Sequence, residues 1–227
     1  RASRVVHDQQ ERQLYYDNAQ FRFAGVPLAY FPRLRMPDPT VDRATGFLLP
    51  SIRSSSELGF GIRVPYFIAI GDSRDLTITP YVTAKGALST ALRYRQAFSN
   101  GNLMFTGAYS RDDIYPGESR GYLFGEGQFS LGNAYVAGFH VETASDDSYL
   151  LDYGVAEKDR LASDIYLTRI KRDLAFDARL THYNSLRAGD ADFALPGLVS
   201  SLSYERRFTP DLIGGQVNMF AADFGVT

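Results

Sequence analysis

From Phe47 onward, apolar and polar residues alternate one by one along the chain. In Leu174 to His182, Leu174, Phe176, Ala178 and Leu180 fall on one side, and Asp177, Arg179 and Thr181 on the other. Ala87 to Tyr94 sets Leu88, Leu92 and Tyr94 against Ser89, Ala91 and Arg93. Ala134 to Glu142 sets Tyr135, Ala137, Phe139 and Val141 against Gly138, His140 and Glu142. A repeat of two belongs to a strand with one apolar face, because successive side chains of a strand point to opposite sides. The pattern predicts strands over Phe47–Ser54, Leu58–Ile70, Asp75–Thr83, Ala87–Phe98, Leu103–Ser110 and Arg120–Leu131. It continues with Ala134–Thr143, Asp164–Arg172, Leu174–Asn184, Leu198–Phe208 and Gly214–Phe224. Most have the roughly 9 to 11 residues that a tilted strand needs to cross a bilayer.

The connections carry a second signal. Tight turns around Asn100, Asn133 and Asp173 alternate with longer polar segments at Arg111–Ser119, Ser145–Ser163 and Arg187–Ala194, and Thr209-Pro210-Asp211 marks a further turn. Short turns at one end and long loops at the other are the asymmetry of outer-membrane barrels. A soluble β-sandwich also hides one face, but has no reason to keep that parity. It stands as an alternative, acting as a binding or structural module.

The first 35 residues read as four short strands, Ser3–Asp8, Gln13–Asp17, Gln20–Phe23 and Val26–Phe31, too few to close a core alone. They suggest the tail of a larger β domain. Met36-Pro37-Asp38-Pro39-Thr40 is too proline-rich for a helix or a central strand, so 36–46 reads as a hinge between residues 1–35 and 47–227.

Composition narrows the function. A net charge of −2 offers no basic footprint for nucleic acid. No run approaches the roughly 18 apolar residues of a membrane-spanning helix, a test that strands are not subject to. The chain has 16 Phe and 15 Tyr but no Trp and no Cys, which excludes thiolate metal sites and disulfides within it. His7, His140 and His182 lie far apart and read as ordinary polar positions. The carboxylate pairs Asp112/Asp113 and Asp146/Asp147 fall in long loops, where solvation is expected. Gly59-Phe60-Gly61 lacks the rest of a phosphate loop, and Ser54 to Ser56 lack a nucleophile-elbow setting. No enzyme and no cofactor is implied.

Pro50 and Pro65 each fall inside a predicted strand. Proline donates no ladder hydrogen bond, and an unpaired backbone group in lipid costs several kcal/mol. Each marks either a bulge or strand end, or a seam built to be weak.

Several runs resemble the LptD (OstA) lipopolysaccharide-assembly family. They are Gly25-Val26-Pro27-Leu28-Ala29-Tyr30-Phe31-Pro32 and Pro37-Asp38-Pro39-Thr40-Val41-Asp42-Arg43-Ala44-Thr45-Gly46-Phe47-Leu48-Leu49-Pro50. His7-Asp8, Val64-Pro65-Tyr66-Phe67, Asp75-Leu76-Thr77-Ile78-Thr79-Pro80 and Leu92-Arg93-Tyr94-Arg95 support them, all within about residues 5–113. The second half matches in strand style only. The resemblance implies an all-β partial chain: the last strands of a periplasmic jellyroll, the hinge Pro37, Asp38 and Pro39, and about the first ten strands of a large outer-membrane barrel. It implies passage of lipopolysaccharide into the outer leaflet, a lateral gate at Pro50 and Pro65, and a lipid path lined by Phe21, Phe23, Val26, Leu28 and Tyr30. Implied partners are lipopolysaccharide, membrane lipid, a plug lipoprotein of the LptE type and bridge proteins of the LptA type. The family's inter-domain cysteines have no counterpart here. Asp38 and Arg43 are expected to be solvated turn residues, and a passive solute channel is the rival function.

Overall fold

The computed structural model describes residues 1–11, 13–23, 25–38, 43–187, 197–210 and 214–226, and the side chains of residues 21, 23, 26, 28, 29 and 37 also lie outside the description. The protein is all-β. Strands β1 (Arg4–Asp8), β2 (Gln13–Phe23) and β3 (Val26–Pro37) form an antiparallel sheet in that order. The two short strands expected at Gln13–Asp17 and Gln20–Phe23 are one strand. Asn18 adopts φ +51° inside it, a conformation that asparagine tolerates better than most residues. The strand expected at Val26–Phe31 runs on to Pro37, opposite Gln13, so the start of the expected 36–46 hinge is strand. Pro39 lies outside the described residues, as do Asp211 and most of the loop expected at 187–194.

The second sheet contains β4 (Gly46–Phe47), β5 (Ser51–Ser55), β6 (Gly59–Arg63), β7 (Tyr66–Ile70), β8 (Arg74–Thr83), β9 (Leu88–Phe98) and β10 (Gly101–Arg111). It continues through β11 (Arg120–Gly132), β12 (Tyr135–Ala144), β13 (Arg160–Lys171), β14 (Leu174–Ser185), β15 (Leu198–Phe208) and β16 (Val217–Val226). From β8 to β16 each strand pairs with its sequence neighbours, all antiparallel, and no sheet closes on itself among the described residues. The predicted strands are therefore present, with one systematic difference: the first two are each broken in two. Tight turns join β9 to β10, β11 to β12 and β13 to β14, the second through Asn133 and Ala134 at φ +50° and +63°, both positive as a two-residue hairpin requires. Longer connections at 112–119, 145–159 and 186–197 sit at the opposite end. The segment 209–216 is an exception, a longer connection at the tight-turn end.

The register gives the two faces opposite chemistry. Ile78, Leu92, Gly107 and Leu123 stand opposite one another across β8 to β11 on one face. Tyr81, Ser89, Ser110 and Arg120 line up on the other. The apolar face is bare, with Leu88 57% and Ile165 60% exposed. The polar face is covered at the end of Ser89, 4% exposed, and Ser110, 0% exposed, while Arg93, Glu126 and Gln128 further along it are exposed. In water this arrangement would be inside out, since large contiguous apolar surfaces are rare on soluble monomers. Neither a second sheet nor a helix covers the apolar face among the described residues.

What covers that end of the polar face is the connection 145–159. It contains a four-residue helix, α1 (Tyr149–Asp152), for which the sequence offered no period. Tyr149, Leu150 and Tyr153 are buried with Leu58, Tyr81, Ala87, Leu161 and Leu186 in the chain's one buried apolar cluster among the described residues.

Candidate functional site

Two features stand out, and the first begins at the proline-broken strands. The break between β4 and β5 contains Leu48, Leu49 and Pro50, and that between β6 and β7 contains Val64 and Pro65. Gly46 pairs with Phe67, yet Ser51 pairs with Arg63, so Leu49 and Pro50 together stand opposite Val64. This is a β-bulge, which leaves a residue unpaired and bends the strand. Leu48 donates its amide to the Pro65 carbonyl at 2.9 Å, and Val64 donates to the Pro80 carbonyl at 3.2 Å. In both pairs the partner is proline and has no hydrogen to return. Two adjacent seams thus each hold one bond where an antiparallel ladder would hold two.

Beside these breaks lies a cavity of about 370 Å³ between the two sheets. Tyr16, Phe31, Leu34 and Met36 line it from the N-terminal sheet, and Phe47, Leu48, Leu49, Pro50 and Val64 from the other. Phe31 and Phe47 approach within 6.2 Å between ring centroids. Of the expected lipid-path residues, Tyr30 is exposed, donates to Asn18 Oδ1 at 2.6 Å and does not line this cavity. The side chains of Phe21, Phe23, Val26 and Leu28 lie outside the described residues, as does that of Pro37. Asp38 is buried and paired with His7, and Arg43 reaches Asp75 Oδ2 at 3.1 Å and the carbonyls of Asp72 and Arg74. Asp38 is therefore not the solvated turn residue expected, whereas Arg43 is exposed at a bend and is also tied to the second sheet. Arg95 makes the second arm on Asp75, at 2.9 and 3.0 Å.

The second feature is a hub around Arg120, whose side chain is 2% exposed. Its guanidinium donates to both oxygens of Asp146, at 2.9 and 2.7 Å, to Asp112 at 3.1 Å, to Asp152 at 2.8 Å and to Ser148 at 3.0 Å. Tyr115 and Tyr149 flank it at 4.7 and 5.4 Å from the ring centroids. The expectation of solvated loop carboxylates at Asp112 and Asp146 is therefore corrected: both are ligands of one buried arginine. Burial pushes the Asp146 carboxyl up, but the hydrogen bonds from Arg120, Ser145 and Ser148 outweigh it and hold the group well below the usual carboxylate range. Burial, and then its hydrogen bond to Asp112, holds the Tyr153 phenol well above its ordinary value. The signal missed in the sequence was Tyr149-Leu150-Leu151, an apolar run inside a segment otherwise read as polar loop.

A long antiparallel meander with a bare apolar face, a polar face and long loops at one end belongs to the class of outer-membrane β-strand proteins. Comparison with known proteins agrees. The family model for LptD, LPS transport system D, matches residues 118–208, the half where the sequence had shown strand style only. The LPS-assembly protein LptD of Bordetella pertussis is 30% identical over 205 residues, covering 86% of this chain and 25% of the relative. That of Burkholderia pseudomallei is 34% identical over 138 residues, covering 60% and 17%. That of Chromobacterium violaceum is 31% identical over 154 residues, covering 67% and 19%. The chain belongs to the LptD family, and its matches span between a sixth and a quarter of these relatives' length.

Proposed function

We propose that this chain forms part of an outer-membrane barrel that passes lipopolysaccharide to the outer leaflet. The N-terminal sheet would act as the end of a periplasmic jellyroll conduit, and the seams at Pro50 and Pro65 as a lateral gate. The observation that carries this reading is the coincidence of three features: one-bond proline pairs, a bulge, and an apolar cavity bounded by Pro50, Leu48 and Val64. An amphiphile needs a greasy route for its acyl chains and an exit between strands. Each missing ladder bond lowers the cost of that exit by about 0.5 to 1.5 kcal/mol. A plug lipoprotein of the LptE type and bridge proteins of the LptA type are the partners this role requires. No covalent chemistry is involved, so energy must come from elsewhere in the assembly.

The test is to replace Pro50 and Pro65 by alanine, singly and together, and measure lipopolysaccharide at the cell surface. Export should fall while the barrel keeps its heat-modifiable gel mobility. Export at the original level with both prolines gone would remove the gate, and would favour the passive-channel alternative.

A further inference from the structure

We propose that Arg53 and Arg63 form a binding station for a phosphorylated saccharide head group on the polar face, beside the proline breaks; the proposal rests on the transport reading above. The two residues occupy adjacent strands. Arg53 stands opposite Gly61, and Ser51 opposite Arg63, so both arginines project from the face that carries Tyr81 and Ser89. Both guanidiniums donate to a single neutral acceptor, the Tyr153 carbonyl, Arg63 at 3.2 Å. Neither has a carboxylate within ion-pair distance among the described residues, whereas Arg43, Arg95, Arg120, Arg179 and Arg187 each have at least one. Two like charges on one carbonyl, both partly buried, are uncompensated, and partial burial makes that costly. An anion would relieve it.

The surroundings are built for such a guest. Arg63 lies over the Tyr81 ring at 4.7 Å, which fixes its planar fork. The Arg53 guanidinium packs against Gly154, at φ +54°, where any side chain would collide with it. Arg63, Thr79, Tyr81, Ser89 and Tyr122 line a cavity of about 290 Å³ beneath the folded connection. Tyr81, 3% exposed, has a buried hydroxyl with no partner among the described residues. Two guanidiniums and a spare hydroxyl offer donors to a group rich in acceptors, and a phosphate monoester is the group whose geometry an arginine fork matches. Arg63 precedes Val64 directly, and Val64 and Pro50 bound the apolar cavity. Phe47 of that cavity lines up with Tyr66 and Ile78 on the apolar face, so an amphiphile with acyl chains in the cavity would reach the arginines with its head group across the weakened seam.

The experiment uses the full protein in detergent, with three probes: lipid A carrying its phosphates, the same lipid after enzymatic dephosphorylation, and inorganic phosphate. The wild type should prefer phosphorylated over dephosphorylated lipid by about tenfold or more, as charge-assisted hydrogen bonds imply. Arg53→Gln with Arg63→Gln should abolish that preference. A preference that survives the double substitution, or no preference in the wild type, overturns the proposal. So does binding of inorganic phosphate that the phosphorylated lipid does not displace, which would mark an anion site off the lipid path. Hydrogen exchange at 149–155 reports whether the connection stays docked in the double variant. If it is released, Arg53→Lys with Arg63→Lys decides: retained preference supports the station and lost preference overturns it. Should Pro50→Ala and Pro65→Ala block export while the wild type shows no phosphate preference, the station fails and the gate stands.

Discussion

Leu48 and Pro65 face each other across the first seam of the large sheet, and they share one hydrogen bond, from the Leu48 amide to the Pro65 carbonyl at 2.9 Å. The Leu48 carbonyl receives nothing back from Pro65. One strand further on, Val64 and Pro80 repeat the arrangement at 3.2 Å. The weakness is thus lateral, running across strands, and each proline removes a donor aimed at the seam nearer the sheet edge. A proline whose missing donor faced the other way would weaken a different seam and leave this one intact.

Pro80→Ala should restore a donor opposite the Val64 carbonyl. The expected gain is about 1 kcal/mol in the local opening free energy, read as slower amide exchange at Val64 and its neighbours. Unaltered exchange there would mean that the seam is held open by the bulge at Leu49 and Pro50 instead.

Arg120 holds three carboxylates, and its removal leaves them facing one another in a largely buried site. Arg120→Gln should cost about 3 to 5 kcal/mol and release the 145–159 connection from the polar face. Limited proteolysis should then cut within that segment in the variant and spare it in the wild type. Equal resistance in both would show that Tyr149, Leu150 and Tyr153 hold the connection by apolar packing alone.

The same hub predicts an acid dependence. Asp146 has a folded pKa below its ordinary 3.8, so its contribution is full above that value and is lost only as pH falls through the folded one. Docking of 145–159, followed by hydrogen exchange, should therefore be constant from neutral pH down to about pH 4 and weaken below it. Asp146→Asn should flatten that acid limb. Release already in the range of free histidine would assign the switch to another group.

The N-terminal sheet shows how far local pattern reaches. Gln13–Asp17 and Gln20–Phe23 were legible as β-prone, but the residue joining them, Asn18, reads as a turn former unless its φ is known. Likewise Pro37 marks a break by its chemistry, while pairing with Gln13 makes it a strand end. The arginines of the proposed station were not legible at all. Arg53 and Arg63 look like any polar position of an alternating strand, and their lack of carboxylate partners is a fact about their neighbours in space.

The alternation of the strands, their lengths from β8 onward, the parity of most loops and the positions of Pro50 and Pro65 were determined by the sequence itself, because each depends on residues within a few positions of one another. Only the tertiary structure decided that the 145–159 connection lies on the polar face and that Arg120 gathers Asp112, Asp146 and Asp152. Whether a carboxylate is solvated depends on what stands opposite it, and here the partners are 8, 26 and 32 residues away. The register of β10 against β11 brings them together by placing Arg120 beside Ser110, and no local period encodes that register.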